Sequence, residues 1–292
     1  MTTPIPAERE IVPRANLDFG LQDDEIPRYW FGGDAFRTRF FDALSTLFPQ
    51  GERFFIESVR KFRDQVTDEA LLTEVKHFIF QEAQHTRVHN DFNDRLKRQG
   101  VAVDHIEKQQ RDVLVWTCRK FPRWSLAQTA AAEHVTALMS HFFLGNREVF
   151  RDADPRIRAI YFWHGIEEIE HKAVAYDVMK QVAGVGYFMR CMAMLYVSIL
   201  FPLHTFMIMR HMFKVDGLSR GQRFKAWMKG MWWLYGPRGV FTRMLPHYLA
   251  YYLPGYHPWK HGETRSFSRW REEYSRHDGD PVSATNTFVS AT

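Results

Sequence analysis

Two short motifs, Glu82-x-x-His85 and Glu168-x-x-His171, lie in long segments whose apolar residues recur every three or four positions. Residues three apart on a helix share a face, so each motif projects a carboxylate and an imidazole to one side. Two such faces can be buried only if they meet each other with something that neutralises them, and this restricts the fold more than any other feature. Frequency alone is a weak guide. Chance placement of 17 Glu and 14 His in 292 residues gives about one Glu-x-x-His. Three occur, the third being Glu74 with His77.

From about Asp34 to Met179 the chain has few prolines and almost no Val/Ile alternation, and it reads as helical. Pro49-Gln50-Gly51 interrupts the first apolar run. Thr67 or Asp68 can cap a second helix that reaches about Gln99, with Gly100 at its end. Pro122 and Ser125 announce a third, and Asp152-Ala153-Asp154-Pro155 stands before a fourth. The expected class is all-α: a ferritin-like four-helix bundle with one long crossing between its second and third helices. The expected division is an irregular segment over 1–30, the bundle over 31–183, an aromatic and Met-rich helical cover over 184–275 and a flexible tail over 276–292.

Depth along the bundle separates the three motifs. At about 1.5 Å per residue, Glu82 lies about 22 Å beyond a turn near Thr67, and the first-helix residue at matching depth is Glu52. Glu57 would sit about 7 Å nearer the turn and is the less favoured choice. On the other pair, Glu133 and Glu168 agree to within about one turn. Glu74 and His77 face a position near Arg60 and read as a solvated or interhelical polar pair. The expected metal ligands are therefore Glu52, Glu82, His85, Glu133, Glu168 and His171, with Glu167 as a substitute for Glu168. Four carboxylates balance two divalent ions, and without metal their burial would cost several kcal/mol per charge. Oxygen and nitrogen donors without sulfur favour two iron ions over manganese or zinc. His89 and His164 share the stripes; either could add a ligand, but a hydrogen-bonding or proton-relay role is the expected one. Tyr176 and Asp177 are expected to orient His171, and Glu170 to be solvated.

Composition excludes several alternatives. Two cysteines, Cys118 and Cys191, cannot build a disulfide framework or a thiolate zinc site. The net charge of +5 comes from scattered residues without a basic run, which argues against nucleic acid. The polar amino terminus lacks a secretory stretch, so a cytoplasmic location is expected. From Cys191 to Met209 the chain is nearly long enough to span a bilayer, but Pro202, His204 and the flanking arginines weaken a spanning role. A buried cover over the bundle and a membrane-touching hairpin both remain open, the latter helped by Trp227, Trp232, Trp233 and Tyr235 beside basic residues. Either would wall an apolar pocket over the metals.

Phe48-Pro49-Gln50-Gly51-Glu52-Arg53-Phe54-Phe55, Gln81-Glu82-Ala83-Gln84-His85, Glu133-His134, Trp163 to Lys172 and Pro254-Gly255-Tyr256-His257-Pro258-Trp259 together resemble the family of predicted metal-dependent hydrolases with a ferritin-like core. The resemblance covers roughly residues 30 to 265. It implies a bound metal and favours Glu52 over Glu57. One departure from the wider ferritin-like pattern is the closeness of Glu52 to Pro49 and Gly51. The expected function is a di-iron enzyme that uses dioxygen, with an external electron donor, to oxidise a small apolar substrate. Glu82 and Glu168 are its expected bridges, Glu52 and Glu133 its terminal carboxylates. The alternative is two-metal hydrolysis of an ester, amide or phosphoester, and a third is a non-catalytic iron-binding or membrane-associated protein.

Overall fold

Helix α1 (Ala35–Arg60) starts at Asp34, whose carboxylate accepts the Arg37 backbone N–H at 3.0 Å. It runs unbroken through Pro49 and Gly51, where the sequence suggests an interruption. Proline there leaves the Ser45 carbonyl without its helical donor. The Asn93 amide supplies one from α2 at 3.1 Å, so the helix continues. Asp68 caps α2 (Glu69–Arg98), and Gly100 follows at φ 90°, a conformation that favours glycine. The crossing that follows is itself helical, α3 (Val103–Lys120). Val113, Val115 and Trp116 on this helix are exposed. Pro122 opens α4 (Pro122–Gly145), and Asp154 caps α5 (Pro155–His171).

The computed structural model describes residues 10–22, 25–260 and 265–291, and every regular element among them is helical. Helices α1 with α2, and α4 with α5, form hairpins that pack into a four-helix core, consistent with the ferritin-like expectation. A short turn, α6 (Val174–Asp177), leads into a π-helical segment over Val178–Val182. The long α7 (Tyr187–Val215) lies across α1 and α4, followed by α8 (Arg220–Tyr235) and α9 (Val240–Ala250). A Cβ added at Gly230 of α8 would overlap the Phe36 ring, so glycine sets how closely α8 seats on α1. Met209, Met212 and Phe213 of α7 share one core cluster with Phe36 and Phe40, so bundle and cover are cored together.

The two ends differ in outcome. Residues 1–9, which include Pro4 and Pro6, lie outside the described residues. From residue 10 to the start of α1 the described chain forms no helix, yet it buries Ile11, Phe19, Leu21, Ile26 and Trp30. It is a packed strap. Within the expected cover, α10 (Arg265–Arg276) is helical; the carboxyl end over 276–292, expected as a flexible tail, instead folds as α11 (Pro281–Ser290). Asp280 caps α11, and Ala284, Thr285, Phe288 and Val289 are buried against α5 and α10. Small polar residues between these apolar positions hide a short amphipathic helix.

Candidate metal centre

Each core helix turns one stripe inward. Helix α2 presents Glu82, His85 and His89, and α5 presents His164, Glu168 and His171, all at helical spacing and all buried. Helix α1 adds Glu52 and Ser45, and α4 adds Glu133 and Thr136. Their donor atoms form two adjoining clusters, Glu52 with His85 and His164, and Glu82 with Glu133, Glu168 and His171. Within each, the atoms lie within 4.8 Å of one another. His171 Nε2 is 3.3 Å from Glu82 Oε1, 3.3 Å from Glu133 Oε2 and 3.4 Å from Glu168 Oε1. His85 Nδ1 is 3.9 Å from Glu82 Oε2 and 3.8 Å from Glu168 Oε1, so both these carboxylates stand between the clusters.

The hydrogen bonds around the clusters turn one nitrogen of each ring inward, and leave those of His85 and His171 without a partner. His85 Nε2 is 2.9 Å from Glu167 Oε2, which turns Nδ1 inward. His171 Nδ1 is 3.0 Å from the Gln81 carbonyl oxygen, which turns Nε2 inward. The third case is settled by a chain of bonds. The Asn93 amide donates to the Ser45 carbonyl, so its oxygen accepts from Ser45 Oγ at 3.1 Å. Ser45 Oγ then accepts from His89 Nδ1 at 2.9 Å, and His89 Nε2 accepts from His164 Nδ1 at 2.7 Å. His164 Nδ1 thus carries a proton, and its Nε2 faces the centre, 3.0 Å from Glu168 Oε1. Expected as a hydrogen-bonding or relay group, His164 instead stands among the ligand-capable atoms, while His89 stays behind it.

Electrostatics shows what the site lacks. Burial first, and then neighbouring carboxylates, push Glu52, Glu82 and Glu133 well above the ordinary carboxyl range. Burial acts the same way on Glu168, but His164 and His171 hold it well below that range. Burial keeps His85 and His89 neutral by pushing their pKa well down. Among the described residues, seven buried atoms in this space have no hydrogen-bond partner: Glu52 Oε1, both oxygens of Glu82, both of Glu133, His85 Nδ1 and His171 Nε2. Orphaned buried polar atoms cost about 1–3 kcal/mol each, more when charged. Converging carboxylate oxygens and imidazole lone pairs are what a hard or borderline divalent cation takes up, so the donors fit a metal centre.

Of the other expected residues, Glu57 lies outside, paired with Arg60 at 2.8 Å. Glu167 stands behind His85, held by Trp163 Nε1 at 2.9 Å and Arg14 at 3.0 Å, and so orients the imidazole. Glu170, expected to be solvated, is 1% exposed and binds Arg14 at 2.8 Å and the Gln81 amide at 2.8 Å. Tyr176 does not orient His171: its hydroxyl donates to the Tyr256 carbonyl and accepts from Arg190, while Asp177 faces His257. Gln81 takes that place. Glu74 and His77 are half-buried on α2, outside both clusters. Sequence spacing passes over Arg14, Ser45, Thr86, Asn93 and Thr136. Thr86 donates to Glu52 at 2.9 Å and Thr136 donates to Glu168. The Thr pair was legible as i+4 from Glu82 and i+3 from Glu133, whereas Arg14 carries no local signal.

A sequence profile described as "predicted metal-dependent hydrolase" matches residues 13–262. The chain belongs to this family. No curated protein and no solved structure matches it. Within the family's metal dependence, the two clusters are the candidate sites, and a cavity of about 730 Å³ reaches them, ending on Glu52, Thr136, His164 and Glu168. Its walls include Phe48, Phe55, Val135 and Phe201, and no Lys or Arg lines it among the described residues.

Proposed function

We propose that the protein is a two-metal enzyme acting on a small apolar molecule that enters this cavity. The observation that carries the reading is the set of unpartnered carboxylate and imidazole atoms at the inner end of an apolar pocket. Glu52, His85 and His164 would hold one ion, and Glu82, Glu133, Glu168 and His171 the other. Such a pair supplies a lowered pKa for bound water and polarisation of a carbonyl, or, if the ions are iron, electrons for dioxygen. The protein's part is to fix the donors and keep water out. Glu167 and Gln81 hold the rings of His85 and His171, and Thr86 and Thr136 hold Glu52 and Glu168. The chain His164, His89, Ser45, Asn93 fixes the proton of His164 on Nδ1.

The family description supports hydrolysis. A cavity without Lys or Arg suits a neutral ester or amide better than a phosphoester. Oxidation by dioxygen at two iron ions is the second reading, favoured by a donor set of three His and four Glu without sulfur. One experiment separates them. Metal-free protein is loaded with Mn2+ or Zn2+ and assayed on acyl esters and amides, and in parallel loaded anaerobically with Fe2+ and exposed to oxygen under absorption. Ester or amide turnover without oxygen consumption establishes hydrolysis; oxygen consumption with a new absorption band and no turnover establishes oxidation. Failure to retain about two ions per chain under either loading would overturn both.

A further inference from the structure

Helices α7, α8 and α9 carry apolar stripes that none of the described residues covers. On α7 the exposed residues Met192, Leu195, Ile199, Leu203 and Met207 recur every three or four positions. On α8, Phe224, Met228 and Trp232 recur every four, and on α9, Leu245 and Leu249 do the same. The three helices touch side by side, Ser198 bonding Tyr248 at 2.9 Å and Phe206 meeting Trp227 at 5.4 Å between ring centres. The exposure is large: Trp232 is 70% accessible and Phe224 68%. A contiguous surface of this kind on a soluble chain marks an interaction site.

Charge identifies the partner. From residue 187 to 250 the chain holds nine Lys and Arg and one acid, Asp216, whose carboxylate is buried under Arg28 and Arg39. All other residues together carry 30 basic against 33 acidic side chains, so the whole net positive charge resides in this layer. Arg210, Lys214, Arg220, Lys225, Lys229, Arg238 and Arg243 are exposed around the stripes. Apolar residues ringed by cations match the interface of an anionic bilayer, where acyl chains take the first and lipid phosphates the second. Helix α7 is long and apolar enough to cross a membrane. Part of its other face, with Ala193, Met194, Met209 and Phe213, is buried against the bundle, which suits a helix lying along a surface better than one crossing it.

The cavity described above opens toward this layer. Its lining runs from Glu52 and His164 out to exposed Val113 on α3 and Met207 on α7. We propose that the protein docks by the α7–α9 face on an anionic membrane and draws its substrate, a lipophilic molecule dissolved in the leaflet, through the gap between α3 and α7. The substrate route rests on the cavity serving the metal centre; the docking does not.

Flotation of the full chain with vesicles of phosphatidylcholine and phosphatidylglycerol, seven to three, tests the docking. The protein should float with these vesicles, float poorly with phosphatidylcholine alone, and bind about tenfold or more weakly when salt rises from about 0.1 M to about 0.5 M. The double variant Phe224→Asp with Trp232→Asp should lose binding about tenfold or more with an unchanged melting temperature, since both residues are exposed. For the route, Val197→Trp, which narrows the cavity, should lower uptake of a pyrene-labelled long-chain fatty acid methyl ester from the vesicles while leaving flotation intact. Wild-type protein that stays unbound, or a dimer by light scattering that hides the stripes and excludes vesicles, overturns the docking. Equal uptake by Val197→Trp overturns the route. Metal content is measured on the same sample: bound metal without flotation sinks this inference and spares the metal centre, and flotation without metal does the reverse.

Discussion

His164 and Tyr176 are the sharpest pair at the level of single residues, because spacing assigned both an accessory role and the fold separates them. His164 offers Nε2 to the Glu52 and His85 cluster, whereas the Tyr176 hydroxyl is spent on Tyr256 and Arg190. His164→Ala is expected to cut retained metal from two ions toward one, read by metal analysis after gel filtration, and Tyr176→Phe to leave it at two. Six of the ligand-capable side chains were legible because a helix converts spacing into direction and a hairpin converts distance from a turn into depth. The seventh was ambiguous for the same reason. His164 lies four residues before Glu168, on the ligand stripe, and only its contact with His89 through Nδ1, made across the bundle, turns Nε2 inward.

Elements were legible where their ends carry chemistry. Asp68, Gly100, Pro122 and Asp154 mark the boundaries of α2, α4 and α5 within a residue or two. Where an element depends on a distant partner, the local sequence misleads. Pro49 suggests a break, yet α1 continues, with Asn93, 48 residues from Ser45, donating to the vacated carbonyl. The end of the chain misleads in the opposite sense, since its small polar residues read as a tail while α11 seats Phe288 at 0% exposure against Phe162 and under Arg147. Phe288→Ala should therefore cost about 3–5 kcal/mol in a urea titration. A loose tail would give no measurable change.

Across the whole molecule, the centre ties stability to metal and pH. In metal-free protein, Glu52, Glu82 and Glu133 hold protons that the unfolded chain releases near its ordinary carboxyl pKa of 4.5, so their contribution declines as pH rises toward their raised folded values. His85 and His89 act oppositely, but only below about pH 6.5, where the unfolded chain takes up protons that the buried rings refuse. The clean window is thus above pH 6.5. Thermal unfolding of chelator-stripped protein should show a falling midpoint from about pH 6.5 to about pH 8.5, and reconstituted protein a shallower fall, because bound cations favour the ionised ligand carboxylates while Glu167, pushed up to about 8 by burial, still titrates.

The strap before α1 places Arg14 between Glu167 and Glu170, and burial, which works against the cation, is more than offset by Glu170 and then Glu167. Through Glu167 this one guanidinium braces His85 on α2, and through Glu170 and Gln81 it braces His171 on α5. The two motif helices are thereby clasped by a residue about 150 positions upstream of the second. The aim of both imidazoles is a property of chain closure, so loosening the clasp would misdirect the rings while the bundle around them still stands.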